Sequence, residues 1–105
     1  DGALEAISRD ELLSGLKSGT MELLDVRPKD EFEAGHLPEA INIPLDQLET
    51  MLAALPGDRE IIAYCRGPHC VLSHQAVQRL RKLGYHVRRF DEGFPEWKAA
   101  GLPIQ

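Results

Sequence analysis

The sequence predicts a single α/β domain built on a largely parallel sheet with helices on both faces. Three observations carry this prediction. The length of 105 residues suits one domain. Short apolar runs that are typical of strands alternate along the chain with segments of helical periodicity. Such alternation favours parallel strands joined by helices that cover both faces of the sheet.

The first elements are a short strand and a helix. Residues 6–7 predict the strand. Ser8 and Glu11 fit a capping box that starts the helix, and Gly19 ends it. Three leucines form its predicted apolar face: Leu12, Leu13 and Leu16.

The middle of the chain predicts two further strands and two further helices. Residues 21–26 are an apolar strand, and residues 28–35 predict a short helix that starts at a proline and ends at a glycine. Residues 40–43 predict a third strand, which Pro44 breaks. Residues 45–55 predict a helix with apolar side chains at helical spacing: Leu45, Leu48, Met51, Leu52 and Leu55.

The last part of the chain continues the alternation. Residues 60–64 read as a buried strand, residues 71–83 as an amphipathic helix, residues 85–90 as the last strand and residues 94–100 as a final helix. The apolar face predicted for the 71–83 helix consists of Leu72, Ala76, Leu80 and Leu83. In parallel sheets of this kind, the binding crevice lies at the carboxyl ends of the strands.

Composition excludes several classes of protein. Apolar residues make up 43% and charged residues 28%, as in ordinary globular domains. No apolar run approaches the roughly 20 residues that span a bilayer, and no signal peptide is visible, so no membrane partner is expected. The chain begins with Asp1 rather than Met. We therefore expect a domain excised from a longer protein, or a processed chain.

Charge is distributed unevenly. Residues 1–60 carry a net charge of −9 and residues 61–105 a net charge of +4, which together give −5. This acidity argues against nucleic-acid binding by the domain itself. The basic second half is either ordinary solvated surface or a mildly positive field for an anionic substrate, and the sequence leaves both readings open.

Both cysteines of the chain lie in one hexapeptide, Cys-Arg-Gly-Pro-His-Cys at residues 65–70. Two cysteines are few for the disulfide framework of a small secreted domain. Their placement in one loop instead indicates thiol chemistry in a reducing, cytoplasmic setting. The hexapeptide stands between a predicted strand and a predicted helix. Loop N–H groups and a helix N-terminus favour negative charge, and such settings can lower a cysteine pKa from about 8.5 to roughly 3.5–7.5. Cys65 is therefore the predicted nucleophile.

Beyond these local signals, the sequence resembles the rhodanese-like family of sulfurtransferases. Residues 23–27, 31–32 and 35–44 resemble the N-terminal signature of the family, Cys65 opens its active-site loop, and residues 92–97 resemble its C-terminal signature. The resemblance runs from about residue 7 to residue 104. It implies a five-stranded parallel sheet flanked by helices, in agreement with the alternating pattern.

The resemblance also implies a reaction. A Cys65 thiolate would take the sulfane sulfur of thiosulfate or a persulfide and become a persulfide. A thiol or cyanide acceptor would then remove that sulfur. Such double displacement needs an activated nucleophile and donors that stabilise the persulfide anion, with no metal or organic cofactor.

The loop departs from the pattern of many active family members. They end the loop with a basic residue and then a small hydroxyl residue, where this chain has Cys70 and Val71. Loss of the basic residue should weaken capture of dianionic thiosulfate and favour a different donor. The same loop resembles those of rhodanese domains fused behind winged-helix regulators of the arsenic-repressor type, which would make a DNA-binding domain the fused partner.

The predicted substrate-binding residues are those that follow the nucleophile: Arg66, Gly67, Pro68, His69, Cys70 and Val71. Arg66 would bind an anion or lower the Cys65 pKa, unless it is simply a solvated charge. Gly67 and Pro68 would shape the loop. His69 could contact substrate or donate a proton, or have no catalytic part.

Three further residues have predicted roles. Cys70 is either a resolving thiol, which attacks a Cys65 persulfide or forms a disulfide with Cys65, or a packing residue of the loop. Asp25 and Arg27 are expected to be structural residues in the wall of the active site, with Arg27 paired to Glu31 or Asp25.

Other functions remain as alternatives. A sensing module would use Cys65 and Cys70 to detect sulfane sulfur or oxidant and regulate a fused domain. Cysteine phosphatase chemistry is disfavoured because the sixth position after the nucleophile holds Val71 rather than an arginine. A metal site is disfavoured because ligation would consume the nucleophile and the spacing matches no common site. Its ligands would be Cys65, His69, Cys70 and His74.

Overall fold

The computed structural model describes residues 6–67 and 70–105. In this part of the chain, five strands form one sheet in the order β1-β5-β4-β2-β3, and every neighbouring pair is parallel. The strands are β1 (Ala6–Ile7), β2 (Met21–Asp25), β3 (Ile41–Asn42), β4 (Glu60–Tyr64) and β5 (Val87–Phe90). The predicted fold class is therefore confirmed.

Helices lie on both faces of this sheet. They are α1 (Arg9–Ser18), α2 (Lys29–Ala34), α3 (Val71–Lys82) and α4 (Phe94–Ala99). None of the helices in the described ranges is long and apolar enough to cross a membrane.

The start of α1 forms only half of the predicted capping box. The Ser8 hydroxyl accepts the N–H of Glu11 at 3.1 Å, as predicted. The Glu11 carboxylate does not return to the cap. It accepts a hydrogen bond from Arg88 at 2.8 Å instead, because β5 brings that guanidinium within reach.

The prediction of one helix over residues 45–55 is wrong. The structure has two short 3₁₀ helices there, Leu45–Gln47 and Leu52–Ala54. The Thr50 hydroxyl donates to the Gln47 carbonyl at 2.9 Å, and the Thr50 N–H bonds the same oxygen. Because a side chain competes for the carbonyl that a continuing α-helix would use, the turns stay separate.

Two apolar cores lie on opposite faces of the sheet. Alternate residues of β4 separate them: Ile61 and Ala63 belong to the core under α3, and Ile62 and Tyr64 to the core under α1 and α4. Two predicted core leucines are exposed: Leu13 by 40% and Leu83 by 49%. Leu13 lies beside the stripe made by Leu12 and Leu16, and Leu83 is the C-cap residue, where the chain leaves α3.

The register of β2 and β4 positions the functional site. Leu24 pairs with Ala63 and Asp25 with Tyr64, so the two strands end side by side. The residues that follow them, Arg27 on one strand and Cys65 on the other, therefore reach the same carboxyl edge of the sheet, where binding sites of parallel sheets form.

Candidate active site

Cys65 follows β4 directly and lies at the carboxyl edge of the sheet. Its side chain is 1% exposed and belongs to the core cluster that contains Val26, Ala63 and Ala76. The strand fixes its backbone from one side, and α3 begins six residues later. The predicted nucleophile is thus a buried sulfur between a rigid strand end and the N-terminal turn of a helix, which favours negative charge.

The sulfur of Cys65 is joined to that of Cys70 in a disulfide, with the two Cα atoms 6.3 Å apart. This separation lies within the range of about 4.4–6.8 Å that disulfides require. The loop therefore curls far enough for the two cysteines to meet. The Cys70 N–H donates to the Gly67 carbonyl at 3.1 Å and closes this turn.

The close approach of Gly93 to the loop shapes the backbone between the cysteines. Any side chain on Gly93 would overlap the peptide that joins Arg66 and Gly67. Gly67 itself has a φ of +154°, which few residues other than glycine adopt. Pro68 and His69, to which the sequence assigned substrate contacts, lie outside the described residues. The last two loop positions are described: Cys70 is the N-cap of α3, and Val71 is 60% exposed.

Arg66 is engaged by a carboxylate. Its guanidinium donates two hydrogen bonds to Glu31 in α2, at 2.9 and 2.6 Å. This hydrogen bond is the main reason that the pKa of Glu31 is lowered and the pKa of Arg66 is raised. The side chain stays half exposed. The pairing places Arg66 between α2 and the loop; anion binding by this side chain remains a prediction.

Asp25 and Arg27 form a buried ion pair at the carboxyl end of β2; their place in the wall of the active site stays a prediction. The Arg27 guanidinium donates to both Asp25 carboxylate oxygens, at 3.0 and 2.8 Å, and to the Gly35 carbonyl at 2.7 Å. The Tyr64 hydroxyl donates to Asp25 at 2.7 Å and accepts the Leu37 N–H at 3.1 Å. Of the two partners predicted for Arg27, the structure shows Asp25.

Tyr64 keeps its proton beside this ion pair. Burial raises the pKa of its phenol, and the neighbouring charge of Asp25 raises it further. A protonated Tyr64 can donate permanently to Asp25, while its backbone carbonyl accepts the Val26 N–H at 3.2 Å. The residue immediately before the nucleophile is thereby fixed through both its side chain and its backbone.

A surface cavity of about 470 Å³ opens beside the loop. Its walls combine apolar side chains with three cations: Val26, Pro28, Leu45 and Leu72 with Lys29, Arg66 and Arg79. Asp46 is the acidic residue of the lining. Each cation already has a glutamate partner: Lys29 pairs with Glu33, Arg66 with Glu31 and Arg79 with Glu49. The apolar part of the lining is thus suited to the body of an organic molecule.

Sequence reasoning missed Ser73, whose Oγ lies 3.5 Å from the Cys65 Sγ. Ser73 is 1% exposed and lies on the buried face of α3 with Ala76, Val77 and Leu80. A small polar residue on an otherwise apolar helix face, in the first turn of the helix that follows a candidate nucleophile, is the signal that could have identified it. The sequence offered Glu31 only as a partner of Arg27 and gave no signal for Gly93, because the loop residues that both contact lie far away in the sequence.

Comparison with known proteins agrees with this geometry. A family model described as a rhodanese-like domain matches residues 8–100. A transcriptional regulator of the HTH type from Mycobacterium tuberculosis, Rv0324, is 51% identical over 95% of this chain, and the chain spans 44% of that regulator. A human thiosulfate:glutathione sulfurtransferase is 34% identical over 87% of this chain and 90% of its own length.

A solved structure leads to the same family. The human single-domain sulfurtransferase TSTD1 superposes with a TM-score of 0.78 at 31% identity, over 90% of this chain and 95% of that one. The family model covers most of the chain, and the relatives match its sequence and its fold. The chain therefore belongs to the rhodanese-like domain family of sulfurtransferases.

Proposed function

We propose that this domain transfers sulfane sulfur from thiosulfate or an organic persulfide to a thiol or cyanide acceptor through a persulfide on Cys65. One observation carries the proposal. Cys65 follows β4 directly and is buried at the carboxyl edge of the sheet, before the loop that leads to the N-terminus of α3. Backbone dipoles there favour the thiolate, the form in which cysteine attacks sulfur.

The reaction starts from the reduced loop. The Cys65 thiolate attacks the outer sulfur of the donor, the S–S bond of the donor breaks, and sulfite leaves when the donor is thiosulfate. With an organic persulfide the leaving group is the organic thiolate. The acceptor then attacks the outer sulfur of the Cys65 persulfide and regenerates the Cys65 thiolate. No oxidant or reductant is consumed in this cycle.

The cavity favours an organic donor or acceptor. Cys70 replaces the basic residue that many active members carry at the end of the loop, so thiosulfate loses a positive partner there. The cavity wall beside the loop offers apolar surface instead, because its cations, Lys29, Arg66 and Arg79, are each paired with a glutamate. A thiol or persulfide with an apolar body matches this lining better than a small dianion does. The likeness to a thiosulfate:glutathione sulfurtransferase supports the same substrate class.

A second candidate function, sulfur or redox sensing, is favoured by the Cys65–Cys70 disulfide. The Cys70 thiolate would attack Sγ of the Cys65 persulfide, the bond to the sulfane sulfur would break, and hydrosulfide would leave. The two cysteines are thereby oxidised by two electrons, and the sulfane sulfur of the donor is reduced to hydrosulfide. Intracellular disulfides are usually transient or redox-sensing, as a cytoplasmic regulator would require. The likeness to an HTH-type transcriptional regulator supports a fused DNA-binding domain as the partner.

Intact mass measurement tests both functions. The reduced chain would be incubated with thiosulfate or with glutathione persulfide, as wild type, Cys65→Ser and Cys70→Ser. Transfer predicts one added sulfur that cyanide discharges and that Cys65→Ser lacks. Sensing predicts that the wild type ends as a disulfide, two hydrogens lighter, whereas Cys70→Ser stops at the persulfide.

Either function can fail in this experiment. Equal sulfur loading of Cys65→Ser and wild type would refute Cys65 as the carrier. A wild-type persulfide that persists as long as that of Cys70→Ser would refute Cys70 as the resolving thiol. Loading from glutathione persulfide alone would assign the donor class to organic persulfides.

A further inference from the structure

The polar surroundings of the Cys65 sulfur are sparse. Within the described residues, two polar atoms lie at hydrogen-bonding distance from Sγ besides its disulfide partner: the Ser73 Oγ at 3.5 Å and the Cys70 carbonyl oxygen at 3.6 Å. The carbonyl can only accept, so it does not stabilise a thiolate. The Cys70 N–H is turned to the Gly67 carbonyl. Of these groups, Ser73 alone can donate to the sulfur.

Burial and helix phase place the Ser73 hydroxyl at the sulfur. Ser73 is the third residue of α3 and is 1% exposed, on the face that packs on the sheet. A buried hydroxyl without a partner is costly, so a sulfur at this distance is a favourable neighbour. Val71, two residues earlier, is 60% exposed. Two residues turn a helix by about 200°, so the positions 71 and 73 lie on opposite sides of α3.

We propose that Ser73 is a catalytic residue whose hydroxyl donates a hydrogen bond to the Cys65 sulfur. The inference rests on the proposed function of Cys65. The Cys65 thiolate occurs twice in that cycle, first as the attacking group and then as the leaving group. One donor at Sγ stabilises both states, and no proton needs to move. Hydrogen bonds to charged groups are stronger than those to neutral groups, so the effect is largest on the thiolate.

The test is the pH dependence of Cys65 alkylation by iodoacetamide, read by mass spectrometry. It uses the chain with Cys70→Ala, which prevents the disulfide and adds no new hydroxyl. Adding Ser73→Ala should raise the Cys65 pKa by about one unit. At pH values below the Cys65 pKa of the Cys70→Ala parent, the alkylation rate should therefore fall about tenfold. Above the pKa the two rates should converge. The neighbouring charges, Arg66 with Glu31 and Glu96 near Gly67, are the same in both proteins.

Two matched variants separate donation from packing. Ser73→Thr keeps the hydroxyl and should restore most of the alkylation rate, whereas Val71→Ser adds a hydroxyl on the exposed side and should not compensate for Ser73→Ala. An unchanged Cys65 pKa in a folded Ser73→Ala protein would overturn the proposal. So would full compensation by Val71→Ser.

A second measurement does not depend on the folding of Ser73→Ala. In the Cys70→Ala chain, the ¹³Cβ signal of Ser73 should shift with the ionisation of Cys65, and a signal indifferent to pH would overturn the proposal. Alkylation and this signal report on the thiolate even if Cys65 accepts no sulfur. Failure of the proposed function and failure of the role of Ser73 are therefore distinguishable.

Discussion

The neighbouring strands β2 and β4 end side by side, but their ends are built in opposite ways. At the end of β2, Asp25 and Arg27 are buried and joined by several hydrogen bonds, and Tyr64 and the Gly35 carbonyl complete the network. After β4, Cys65 is buried as deeply but has apolar neighbours and two polar atoms near its sulfur. At the end of β2, burial encloses an ion pair whose charges balance. At the end of β4, burial leaves the Cys65 sulfur with few polar neighbours.

This difference indicates that the β2 end contributes mainly to stability and the β4 end mainly to reactivity. Charges that are buried must be paired, so the β2 end tolerates little change. A sulfur tolerates apolar surroundings as a thiol, and a few donors decide how readily it ionises. We therefore expect substitutions at the β2 end to alter stability, and substitutions around the β4 end to alter reactivity.

The largest effect on stability is expected from Arg27→Met. Removal of the guanidinium leaves the buried Asp25 carboxylate without its cation, which should lower the free energy of unfolding by about 3–5 kcal/mol. Urea denaturation measures the loss. Arg59→Met is the matched control, because Arg59 is 39% exposed and its pairing with Glu22 should be worth less than about 1 kcal/mol. Equal losses in the free energy of unfolding of the two variants would contradict the special role of the buried ion pair at the end of β2.

A smaller loss of stability is expected from Gly93→Ala, with a clear effect on the loop. The new methyl group overlaps the backbone between Arg66 and Gly67, so the loop must shift at a cost of about 1–3 kcal/mol. Sulfur loading of Cys65, followed by intact mass, should slow as the loop moves. Gly57→Ala has open space and serves as the control. Unchanged loading in Gly93→Ala would show that this contact does not shape the site.

The smallest effect is expected from Glu31→Gln, which weakens an exposed ion pair with Arg66. The loss should stay below about 1 kcal/mol at neutral pH. The hydrogen bond from Arg66 lowers the pKa of Glu31 in the folded state, so its contribution is complete above the ordinary glutamate pKa and is lost as pH falls through the lowered value. Urea titrations at neutral pH and near pH 3 measure this trend. A difference in the free energy of unfolding between wild type and variant that is larger near pH 3 than at neutral pH would contradict the pairing.

Local patterns predicted most of the secondary structure and the place of Cys65. The strand over residues 60–64 and the helix that starts at Val71 were both identified from periodicity, which bracketed the loop. Periodicity gave the wrong prediction for residues 45–55. Leucines at helical spacing also suit two 3₁₀ turns when a threonine hydroxyl competes for a carbonyl. Apolar spacing shows which residues turn inward, but not which hydrogen-bond pattern carries them there.

Local sequence patterns were enough to establish the α/β class, the order of the elements and the cysteine that follows a strand. These depend on preferences of neighbouring residues, which short segments contain in full. The tertiary structure alone decided that Arg66 meets Glu31, that Gly93 presses on the loop and that Ser73 rather than Val71 faces the sulfur. The strand order, with β4 between β5 and β2, brings such distant segments together, and the packing of α3 on that sheet selects which of its faces reaches Cys65.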